Sequence, residues 1–126
     1  MPALNFKKQF APDVESGKKR QTIRAYRKDG RDPKPGDQLY HYTGMRTKAC
    51  RHLCNAVCES VTPIRLEAEK IGPYIDHYQV IKGRVYLSPT SANALAKADG
   101  FETAEDFFKF FEKTHGLPFN GLLIKW

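Results

Sequence analysis

The sequence predicts an α+β fold: a small β-barrel of about five to six strands, flanked by two to three short helices. β-branched and aromatic runs with period-two alternation fill the first two-thirds of the chain. Two capped helical segments stand together after residue 88, and the apolar run "FNGLLIKW" closes the 126 residues. Strands followed by helices, not alternating with them, give α+β. A chain of this length forms one domain, 1–126, with room for a single core.

The elements follow in order. "ALNFK" (3–7) reads as a short first strand. In "FAPDVESG" (10–17), Pro12 sits near a helix start and Gly17 supplies the stop. "RQTIRAY" (20–26) is a β-branched, alternating strand. Residues 27–37 are rich in Gly, Pro, Asp and charge and form a surface loop. "QLYHYTG" (38–44) is a strand, and "MRTKACR" a loop or strand edge. Residues 52–67 read as one long strand, bent or broken at Pro63. Residues 77–87 read as strand, turn, strand.

Ser88-Pro89 then opens a helix, with serine at the N-cap and proline at the first helical position; Gly100 stops it. Thr103 caps a second helix, with Asp106 three residues on in capping-box spacing. Phe107, Phe108, Phe110 and Phe111 cover a wide face of that helix, suited to packing on a sheet. A protein-interaction role for this face would require it to be exposed. The final strand, 119–126, carries Leu122, Ile124 and Trp126 on one side.

Charge is distributed unevenly. Residues 1–51 carry 13 Lys/Arg and five acids, a net of +8, whereas residues 52–126 net −1. A local basic surface attracts phosphate and steers anionic partners, unless it is only a solvated face. No apolar run reaches the roughly 20 residues of a membrane span, and no apolar leader opens the chain, so a cytoplasmic protein without a membrane partner is expected. Cys50, Cys54 and Cys58 are odd in number and lack zinc-ligand spacing. Their even spacing on a strand makes them small buried residues, so neither metal nor other cofactor is expected. His41, His52, His77 and His115 have no ligand spacing either.

The densest cationic stretch is "SGKKRQTIRAYRKDGR" (16–31), with seven basic side chains and one acid. On a strand, Thr22 and Arg24 share a face with Arg20 and Tyr26, while Gln21, Ile23 and Ala25 take the other and Ile23 faces the core. Thr22 and Arg24 then point to a groove with Lys19 at its edge. A hydroxyl, an ammonium and a guanidinium together suit an anionic or carbonyl-bearing ligand.

Gly17, Lys19, Thr22, Ile23 and Arg24 stand in the order G-x-K-x-x-T-I-R, and this stretch resembles the signature of the ASCH domain, a PUA-like β-barrel family linked to RNA. Phe10 with "SGKK", "PGD" (35–37), "DGF" (99–101) before a helix, and the closing "GLLIKW" extend the likeness along nearly the whole chain. The resemblance implies a barrel with a cleft lined by the motif. It further implies kinship with small bacterial amidohydrolases that remove the acetyl group of N4-acetylcytidine using a Lys, a Thr and a later Glu. The Lys carries onto Lys19 and the Thr onto Thr22. Asp99 stands nearest the Glu by position, one methylene shorter, and "YTGMRTKAC" (42–50) has no counterpart.

In that chemistry Thr22 is the nucleophile, Lys19 the base and Asp99 the acid that protonates the leaving amine. At a helix C-terminus the dipole disfavours the Asp99 carboxylate, although Asp-Gly is also an ordinary helix stop. Tyr40, Tyr42, Thr43, Gly44, Arg46 and Lys48 form a second candidate cluster, in which aromatics interleaved with cations suit base stacking and phosphate contact, unless it is only a strand-end turn with packed tyrosines. The primary expectation is binding of RNA or a modified nucleoside in a basic cleft lined by Lys18, Lys19, Arg20, Thr22 and Arg24, with Tyr42, Arg46 and Lys48 beside it. The alternatives are the amidohydrolase and, more weakly, a metal-independent ribonuclease.

Overall fold

The last strand of the chain lies inside the larger of two sheets, between strands formed some sixty and a hundred residues earlier. The computed structural model describes residues 3–126, which form eight strands and three helices in an α+β arrangement. The strands are β1 (Ala3–Phe6), β2 (Gln21–Ala25), β3 (Gln38–Thr43), β4 (Arg51–Val57), β5 (Ser60–Ile71), β6 (Tyr74–Lys82), β7 (Val85–Tyr86) and β8 (Phe119–Lys125). The helices are α1 (Ala11–Ser16), α2 (Pro89–Ala98) and α3 (Ala104–Thr114). No helix among the described residues is long and apolar enough to cross a membrane.

One sheet has the order β1-β3-β4, with β1 parallel to β3. The other has the order β2-β8-β5-β6-β7 and is antiparallel throughout. Eight strands in two sheets exceed the five to six expected, and they do not close into a barrel. The run 52–67, read as one strand, divides into β4 and β5. It divides at Cys58-Glu59, where the chain passes from one sheet to the other, and not at Pro63. Pro63 is tolerated within β5 because β5 pairs only with β8 at that point; pairing with β6 starts at Ile64.

β8 joins two cores through its alternating faces. Phe119 and Leu123 belong to a cluster with Ile23, Leu66, Val80, Leu95 and Phe107, beneath α2 and α3. Leu122, Ile124 and Trp126 belong to a cluster with Leu4, Phe6, Val14 and Leu39, beneath α1. Phe107, Phe108 and Phe111 are buried, so the phenylalanine face of α3 is core and offers no interaction surface. The expected caps form: Ser88 accepts from the Ser91 amide and Thr103 from the Asp106 amide. Gly17 ends α1 in the left-handed conformation at φ 83°, which turns the chain into β2.

The cysteines do not share one buried strand face. Cys50 precedes β4 and is exposed, Cys54 is half-buried, and Cys58 lies buried just after β4 ends.

Candidate functional site

Lys19, Thr22, Arg24 and Asp99 line one cavity of about 210 Å³. The first three arrive on β2 and the residues before it; Asp99 arrives at the C-cap of α2. The rings of Phe6, Phe10 and Phe110 supply apolar wall. Lys19, Thr22 and Asp99 are 3 %, 5 % and 4 % exposed, so their polar groups must be satisfied within the protein or by a ligand.

Lys19 and Asp99 meet at 3.2 Å between Nζ and Oδ1. Lys19 Nζ also donates to the Asp99 backbone carbonyl. The lysine thereby places a cation on the carbonyl end of α2, where the helix dipole favours it. Its Nζ lies 5.0 Å from the centre of the Phe10 ring. Burial pushes the Lys19 ammonium's pKa down, opposed by the Asp99 charge and aided by Arg24. Burial pushes the Asp99 carboxyl up, opposed first by Lys19 and then by Gln21 and Arg24. Burial thus works against both charges, and each partner's charge works against that burial.

Arg24 organises the other side. Its Nε donates to Thr22 Oγ1 at 3.1 Å and its Nη2 to the Asn5 carbonyl at 2.7 Å. Its guanidinium lies 4.8 Å from the Phe6 ring centre. Because Thr22 Oγ1 accepts from Arg24, its own proton is left to donate. Burial lowers the Arg24 pKa to about 10, so it stays cationic at neutral pH.

Lys18, Arg20, Tyr42, Arg46 and Lys48 do not line this cavity. Lys18 is exposed. Arg20 Nε is taken by the Trp126 carbonyl at 3.1 Å, because Arg20 lies beside the end of β8. Tyr42 packs edge-on against His52 at 5.2 Å. Arg46 and Lys48 are exposed on the loop after β3. Among the described residues, no three His, Cys, Asp or Glu side chains gather to hold a metal ion.

Two residues gain a place that the residue patterns did not single out. Gln21 is 4 % exposed, and its Nε2 donates to the Leu95 carbonyl at 3.3 Å and to Asp99 Oδ1 at 3.4 Å. It ties β2 to the end of α2 and orients the carboxylate. The signal was present, since strand alternation turned this amide toward the core, where it must find a partner. His41 is fully buried and wedged between Phe6 and Trp126, with ring centres 5.1 and 4.3 Å away. Neither of its ring nitrogens has a hydrogen-bond partner among the described residues. Burial, then the Arg24 and His52 charges, hold its pKa at about 4.

No protein-family model matches the chain, and neither does any curated protein or solved structure.

Proposed function

We propose that the cavity takes a single nucleobase, presented by RNA or by a modified nucleoside. The convergence of Lys19, Thr22, Arg24 and Asp99 on one small, ring-walled cavity carries this reading. At about 210 Å³ the space is below the roughly 300–1,000 Å³ of pockets for drug-sized ligands and suits one base with a small substituent. The rings of Phe6, Phe10 and Phe110 offer apolar faces, and the cations and carboxyl offer hydrogen bonds to a base edge. The G-x-K-x-x-T-I-R stretch, which resembles the ASCH signature, lends the reading further support. On this proposal the two sheets are an opened relative of a PUA-like barrel.

Isothermal titration with cytidine, N4-acetylcytidine and short single-stranded RNA tests the proposal. Arg24→Ala removes charge-assisted bonds worth about 1.5–3 kcal/mol, so affinity should fall at least tenfold. Unchanged affinity in Arg24→Ala and in Thr22→Val removes the cavity from consideration.

The placement of Asp99 against Lys19 favours a second reading, hydrolysis of an N4-acyl group. Thr22 Oγ1 bonds to the acyl carbon as its proton passes to neutral Lys19 Nζ. The C–N4 bond breaks as protonated Asp99 gives its proton to N4, which leaves as the amine of cytidine. Water then attacks the Thr22 ester and gives its proton to Asp99. The threonine oxygen recovers a proton from Lys19, and acetic acid departs. Incubating the protein with N4-acetylcytidine should release cytidine, and Thr22→Val should abolish the release. No turnover by the unmodified protein rejects this chemistry and leaves the binding reading standing.

A further inference from the structure

The segment after β3, "GMRTKAC" (44–50), has no role in the cavity, yet it builds a wall of its own. Together with the end of β1 and the start of α1 it encloses a groove of about 590 Å³. This groove shares Asn5, Phe6 and Lys7 with the deep cavity, so the two spaces meet along β1. The loop is held in place by bonds to β1: the Met45 amide donates to Asn5 Oδ1 at 3.0 Å, and Thr43 Oγ1 donates to the Phe6 carbonyl at 2.8 Å. Gly44, at φ 64°, closes it tightly; a Cβ there would stand 2.9 Å from the Ala49 carbonyl oxygen.

The groove is cationic in a way that the hollow of the 27–38 loop is not. Lys7, Lys8 and Arg51 line it, and Arg46 and Lys48 stand exposed on the same loop. Glu15 pairs with Arg51 at 2.5 Å and offsets one of these charges. Among the described residues, Lys7, Lys8, Arg46 and Lys48 make no ion pair. The hollow in the 27–38 loop, by contrast, sets Arg27, Arg31 and Lys34 against Asp29, Asp32 and Asp37, and its formal charge cancels. A phosphate would be drawn to the first and not to the second.

We infer that the groove walled by the 44–50 loop is a phosphate subsite of the same cleft, so that the ligand is a phosphorylated nucleoside, its base in the deep cavity and its phosphate beside Lys8 and Arg51. The inference rests on the nucleobase reading above and sharpens it. It also gives the 44–50 segment a purpose: the segment builds the wall that a bare nucleoside would not need. The phosphate can belong to a free nucleotide or to a residue within a single strand, since both present the same group to the groove.

Titration calorimetry of the full chain at two salt concentrations tests this with five probes: N4-acetylcytidine, its 5′- and 3′-monophosphates, ribose 5-phosphate, and a cytidine trinucleotide. One monophosphate should bind at least tenfold more tightly than the nucleoside, with the gain shrinking as salt rises. Lys8→Ala/Arg51→Ala should erase the gain and leave nucleoside affinity as it was. Both substitutions lie on exposed side chains, and circular dichroism of the double variant should match that of the unmodified protein. A trinucleotide that binds more tightly than either monophosphate identifies a strand as the source of the phosphate; equal binding identifies the free nucleotide. Monophosphates that bind no better than the nucleoside, or a gain that survives in the double variant, overturn the subsite and leave the base cavity intact. Ribose 5-phosphate reads the groove alone. Its saturable binding, lost in the double variant, upholds the subsite even if no nucleoside binds and the base reading falls. If no phosphate-bearing probe binds, the subsite is rejected.

Discussion

Lys19 and Asp99 bury opposite charges within a few percent of full enclosure, and such pairs are fragile when halved. Removing one partner strands the other and typically costs about 3–5 kcal/mol, whereas replacing both with apolar groups is often neutral. Lys19→Met should therefore lose about 3 kcal/mol in urea unfolding, and Lys19→Met/Asp99→Leu should regain most of it. Equal instability of the single and double variants would show that the pair does not act as a unit. His41 gives a second prediction, with a defined sign. Its folded pKa of about 4 lies below the ordinary value of 6.5, so its contribution is complete above pH 6.5 and is lost as pH falls toward 4. The shift corresponds to about 3 kcal/mol. Unfolding measured at pH 7 and pH 4 should show the unmodified protein losing about that much more stability than His41→Phe. Parallel losses would mean that the histidine is not sealed between Phe6 and Trp126. The environment of His41 is not legible in local spacing. His41 has no ligand pattern around it, and its partners lie on β1 and beside the end of β8.

At the scale of elements, the position of the cleft depends on how closely β2 lies on β8. Gly121 sits opposite Ala25 in that pairing, and a Cβ built on it would come 2.3 Å from the Arg24 carbonyl oxygen. The two strands can approach only because residue 121 lacks a side chain. Gly121→Ala should cost about 3 kcal/mol, the upper end of overpacking penalties, and should weaken binding at Arg24 as β2 is pushed away. A variant of unchanged stability and affinity would show that the strand contact has slack. The "NGL" stretch at 120–122 read only as part of the final strand; that its glycine is required follows from the pairing, which spans about a hundred residues. What lay in local chemistry was legible: the caps at Ser88 and Thr103, the stop at Gly17, and Thr22 and Arg24 as cleft residues. What depended on crossing between sheets was not. The break at Cys58-Glu59 carries no breaker residue, whereas Pro63 does and is accommodated. Arg20 was drawn from the cleft by a carbonyl at Trp126. Asp99 was placed beside Lys19 by the family likeness alone, since 80 residues separate them.

Across the whole molecule, two hydrophobic clusters are joined by one strand, and that arrangement fixes how the protein unfolds. β8 sends Phe119 and Leu123 into the cluster under α2 and α3, and Leu122, Ile124 and Trp126 into the cluster under α1. Neither cluster can lose β8 without exposing the other. Phe101 and Phe110 pack against both, which adds a second seam close to the Lys19–Asp99 pair. The two sheets should therefore melt together although they share no ladder hydrogen bonds. Trp126 is the only tryptophan and reports the α1 cluster by fluorescence. Far-ultraviolet circular dichroism at 222 nm draws on α2 and α3, the longer helices, which cover the other cluster. Urea transitions followed by the two signals should coincide in midpoint and slope. A tryptophan transition that precedes the helical one would separate the sheets into independent units, and the cleft between β1 and β2 would then open without global unfolding. Coincidence makes the cleft as stable as the molecule, with Lys19 and Arg24 held in position before any ligand arrives.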